Sequence, residues 1–76
     1  MKLRRVNMAE VDRLRLAIPL SKAELCRKAD IAYSTFKYVQ SGRAASELVA
    51  AKLAVALGVS IDTISSPIAT PERRAS

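Results

Sequence analysis

The spacing of helix starts and stops constrains this chain more than anything else in it. Asn7, Ser21, Ser46 and Ser60 each stand just ahead of a helix-forming run. Asn7-Met8-Ala9-Glu10 and Ser21-Lys22-Ala23-Glu24 both fit a capping box, in which the first side chain accepts from the backbone N–H three residues on while the acid reaches back. Pro19 closes the first run, because the residue before a proline disfavours helical geometry. Gly42 and Gly58, the only two glycines, suit left-handed helix ends. These marks predict short helices over about 8–17, 22–29 and 33–40, a fourth from Ser46 to the Gly58 stop, and a brief fifth over 61–64.

Within those limits the apolar residues recur at helical spacing. Val11, Leu14 and Ile18 share one face, as do Leu25, Cys26 and Ala29, and Phe36 and Val39 lie three apart. Val49, Ala50, Leu53, Ala54 and Leu57 make a broad apolar face. Half the residues are hydrophobic, but alanine supplies much of that and only 4% are aromatic. Small helix formers suit close helix packing better than a sheet. The expected fold is therefore all-α, a compact bundle of about five short helices. A basic N-terminal arm over 1–6 precedes it, and a disordered tail over 66–76 follows, where "SPIATPERRAS" holds two prolines and no periodicity.

Charge and rare residues narrow the function. Thirteen Lys and Arg against seven Asp and Glu give a net charge of +6, which favours a polyanion such as nucleic acid. One cysteine and no histidine exclude a disulfide framework and leave no Cys/His zinc site. Cys26 lies on a core face with no base partner and reads as a small buried hydrophobe. No carboxylate pair, nucleophile–base set or phosphate-cradling glycine loop stands out, so neither an enzyme nor a metal, cofactor or small-molecule substrate is expected. No apolar run approaches the roughly 20 residues of a membrane span. The opening "MKLRRVNMAEVDRLRL" is not a secretory signal, and a cytoplasmic protein is expected.

The stretch "CRKADIAYSTFKYV" holds the sharpest question. Its break between two helices, Asp30-Ile31-Ala32, contains neither glycine nor proline. One continuous helix would carry Ile31 off the face shared by Leu25 and Ala29, and the Ser21 capping box and Gly42 stop mark two short helices instead. Asp30 is then the left-handed turn residue, with a positive φ, since Asp tolerates that region better than most residues. Ile31 is an apolar plug, and Ala32 caps the following helix poorly, at a cost of about 1 kcal/mol.

With those residues in place, "SKAELCRKADIAYSTFKYVQSGRAASELVAAKLAVALGVSIDTI", residues 21 to 64, resembles the repressor/Cro-type helix-turn-helix domain of phages and bacteria, the XRE family. "LAVALGVSIDTI" and the apolar spacing of Leu25, Ile31, Phe36 and Val39 carry most of the likeness. Three positions depart from the family's habit. Asp30 replaces the turn glycine, Ala32 the Ser or Thr cap, and Lys22 the glutamine that often opens helix 2. The resemblance implies a lambda-repressor-like domain that binds a palindromic operator as a homodimer, with helix 3 in the major groove, and acts as a transcriptional regulator, chiefly a repressor. It also implies a site. Tyr33, Ser34, Lys37 and Tyr38 are the candidates for base edges. Lys22, Thr35, Arg43 and the arm residues Lys2, Arg4 and Arg5 are the candidates for phosphates. The tail's Arg73 and Arg74 are further candidates along DNA. Val59, Ile61 and Ile64 are the candidate dimer interface. The competing expectation is a protein-interaction module on the same fold, an antitoxin or anti-repressor partner.

Overall fold

The computed structural model describes residues 2–68. The chain runs β1 (Leu3–Val6), α1 (Met8–Ala17), α2 (Lys22–Ala29), α3 (Tyr33–Gln40), β2 (Ala45–Ser46), α4 (Glu47–Leu57), α5 (Ile61–Ile64) and β3 (Ser65–Pro67). The helices begin and end at the caps and stops read above. Ser21 and Glu24 form a complete capping box, with Ser21 Oγ accepting from the Glu24 N–H at 3.1 Å and Glu24 Oε1 from the Ser21 N–H at 2.8 Å. The box expected at Asn7 is only half made. Asn7 Oδ1 accepts from the Glu10 N–H at 3.1 Å, but the Asn7 N–H donates to Ile64 O at 2.7 Å and Glu10 pairs with Arg13 instead. Ser60 gives α5 no side-chain cap; its hydroxyl meets that of Thr63 at 3.0 Å.

The all-α, lambda-repressor-like bundle is overturned by a three-stranded antiparallel sheet, ordered β2-β1-β3, so the domain is α+β. Leu3 and Arg4 pair with Ser46 and Ala45, and Arg4, Arg5 and Val6 with Pro67, Ser66 and Ser65. The basic arm over 1–6 is thus corrected: Leu3–Val6 is the central strand. Its alternation is genuine, with Arg4 buried and Leu3 and Arg5 exposed, but its deepest inward position carries a charge. Hydrophobic periodicity cannot register such a strand. The start of the expected disordered tail is corrected too, since Ser66 and Pro67 lie in β3 and the Ile68 N–H donates to Leu3 O at 3.3 Å. Pro67 is tolerated because β3 is an edge strand. Residues 69–76, with Arg73 and Arg74, lie outside the described residues.

The core forms where α4 packs on α2, α5 and α1. Phe36, Leu25, Leu53, Ile64 and Val11 are its largest fully buried side chains. Cys26, Ala29, Ala50 and Ala54 line it with small atoms, which permit close helix approach. Ile18, placed on the inner face of α1 by its spacing, is exposed instead. It is the C-cap of α1, with helical dihedrals of φ −69° and ψ −42°, directly before Pro19.

Candidate nucleic-acid interface

The turn between α2 and α3 is built without glycine. Asp30 adopts φ 59° and ψ 48°, the only positive φ outside glycine among the described residues. The Asp30 N–H donates to Arg27 O at 3.2 Å and the Ile31 N–H to Cys26 O at 3.0 Å, which satisfies carbonyls at the end of α2. From α4, Lys52 Nζ donates to Asp30 O at 3.3 Å and lies 3.9 Å from its carboxylate. Nothing local in the sequence announces that support, because Lys52 is 22 residues away. Ile31 is half-buried against the core, and Ala32 has the extended geometry of a cap but makes no side-chain cap bond.

This turn delivers an eight-residue α3 with two distinct faces. Phe36 and Val39 are buried, and Tyr33, Ser34, Lys37 and Tyr38 are exposed together on the other side. Tyr33 is partly committed to packing, since its ring stacks on Phe36 with centroids 6.4 Å apart. Its outer half is free, at 48% exposure. Thr35 is half-buried at the flank. At the far end of α3, the Arg43 guanidinium lies 5.5 Å from the centroid of the Tyr38 ring, and Arg5 Nη1 donates to Gly42 O at 3.5 Å. Sequence spacing gave no reason to join residue 5 to residue 42; strand β1 does so. Lys22 opens α2, half-buried, beside first-turn N–H groups that favour an anion. Lys2 is exposed, and its carbonyl accepts from the Glu47 N–H at 3.0 Å.

Two groups near the turn have shifted protonation. Glu24 titrates below the ordinary carboxylate range because it accepts the Ser21 backbone N–H. Burial pushes the Cys26 thiol up, which fits a packing role rather than a reactive one.

Four predicted residues are placed elsewhere than expected. Arg4 is 7% exposed and reaches no outer surface. Its Nε donates to Ser65 Oγ at 2.8 Å, and its Nη2 to Asp62 Oδ1 at 2.6 Å and Ser65 O at 3.3 Å. It is not available as the expected phosphate contact, because an inward strand position and the carboxylates of Asp62 and Glu47 hold it. Ile64 is fully buried in the core, so it cannot line a dimer interface. Val59 and Ile61 are half-buried and pack on that core. The exposed large apolar side chains are instead Leu16, Leu48 and Val55, with Leu3 and Ile18 less so. Among the described residues no helix is long and apolar enough to cross a membrane. No family model, curated protein or solved structure matches the chain.

Proposed function

We propose that the protein is a sequence-specific, double-stranded DNA-binding regulator that inserts α3 into the major groove. One observation carries the reading: Tyr33, Ser34, Lys37 and Tyr38 form a solvent-facing polar and aromatic row on a short helix set by a tight turn from α2. Side chains of this kind suit base edges. A lysine donates to guanine O6 and N7, and apolar contact recognises the thymine methyl. Arg5 and Arg43 at the end of α3, and Lys22 at the start of α2, are the cations that would meet the phosphate backbone in this reading. The net charge of +6 supports a polyanion partner. One eight-residue helix reads only a few base pairs, so the protein acts as a homodimer on a palindromic operator. The regulatory outcome proposed is repression, in a bacterial or phage setting.

Selection of bound sequences from a random duplex pool, followed by salt titration on the winner, tests this reading. A palindrome should emerge, and affinity should fall steeply with salt while preference for that site survives. Weak binding without sequence preference overturns it. That outcome would favour a protein-interaction module, for which the exposed Leu48 and Val55 of α4 are the supporting observation.

A further inference from the structure

Arg4 poses a problem that packing alone does not solve. It is the only buried cation among the described residues, and it occupies the deepest inward position of the central strand. A hydrophobic side chain of similar volume commonly serves stability as well as a buried ion pair does. What the guanidinium adds is geometry. Its planar fork donates in three directions, to Ser65 Oγ, Ser65 O and Asp62, while Nη1 lies 3.8 Å from Glu47 at the start of α4. Those partners belong to β3, α5 and α4, so only one register of β1 satisfies them together. A slip of one residue would turn Arg4 outward and Arg5 inward. Arg5 is the neighbour whose guanidinium now reaches Gly42 O, immediately before Arg43.

We propose that Arg4 is a positioning residue for DNA binding: by fixing the register of β1 it holds Arg5 beside Gly42 and Arg43, so that both guanidinium groups meet the phosphate backbone as a fixed pair at the end of α3. This rests on the DNA reading above. It replaces a basic arm with a strand residue whose backbone is already paired with Ser66 before DNA arrives, which lowers the entropy lost on binding.

The test is the salt dependence of affinity for the selected duplex, measured for wild type, Arg4→Gln, Arg5→Gln and the double variant. Arg5→Gln should reduce the slope of log affinity against log salt by about 1 per bound protomer. Arg4→Gln should produce a similar reduction although Arg4 touches no DNA, and the double variant should lose no more than Arg5→Gln alone. A purely structural Arg4 predicts a lower melting temperature with the wild-type slope, or losses that add; either result overturns the proposal. If Arg4→Gln does not fold, Ser65→Ala removes the Nε acceptor without changing charge, and a wild-type slope there overturns it equally. A wild type without salt-dependent DNA affinity instead removes the DNA reading itself.

Discussion

Asp30 is where local preference and global need meet most sharply. A left-handed residue with a Cβ costs about 1–2 kcal/mol, less for Asp than for most. The backbone bonds at the end of α2 and the Lys52 contact to Asp30 O offset that cost. Asp30→Ala should therefore destabilise the fold by about 1 kcal/mol, while Asp30→Gly should stay within about 0.5 kcal/mol of wild type, since relief of the left-handed geometry balances greater freedom in the unfolded chain. Chemical denaturation checks the pair, and equal stability of Asp30→Ala and wild type would refute the account. Glu24 supports the same unit through pH. Its folded pKa is depressed by the Ser21 N–H, so its contribution is complete above the ordinary carboxylate range and disappears as pH falls through the lowered value. Thermal melts between about pH 5 and 2 should show wild type losing more stability than Glu24→Gln. A parallel loss would contradict the sign. The positive φ at Asp30 was legible from the sequence because caps and stops on either side left no other place for the turn. The support from Lys52 was not, since it depends on tertiary placement.

At the scale of elements, α3 starts without a side-chain cap. Ala32 has φ −70° and ψ 146°, ready to cap, but no oxygen to do it. Ala32→Ser should raise stability by about 0.5–1 kcal/mol, seen as a higher denaturation midpoint. No gain would mean that the first-turn N–H groups of α3 are already satisfied another way. The helices were readable because their signals are local, caps, apolar spacing and stops within a dozen residues, with α3 delimited by its stop and its neighbours rather than by a cap. The sheet was hidden for the opposite reason. β2 has two residues and abuts α4, β3 contains a proline, and β1 carries Arg4 where a hydrophobe is expected. Each strand exists only because β1 finds partners some forty and sixty residues away, a pairing that no local pattern encodes. The candidate face divides along the same line. The α3 row followed from the family resemblance together with helical spacing, whereas the junction of Arg5 with Gly42 required the sheet.

For the molecule as a whole, a 76-residue chain has little core to spare. Phe36 fills its centre on the inner face of the same helix that presents Lys37 outward. Phe36→Ala should cost about 3–5 kcal/mol, enough to unfold much of a domain this size, whereas Lys37→Ala should leave the fold intact. That separation makes the proposed reading face testable apart from stability. The most direct measurement is the affinity of Tyr33→Ala and Lys37→Ala for the selected operator, with folding verified by circular dichroism. Each should weaken operator binding by about 1–3 kcal/mol while binding to unrelated duplex changes far less. Folded variants that both hold the operator as tightly as wild type would contradict the claim that α3 reads DNA.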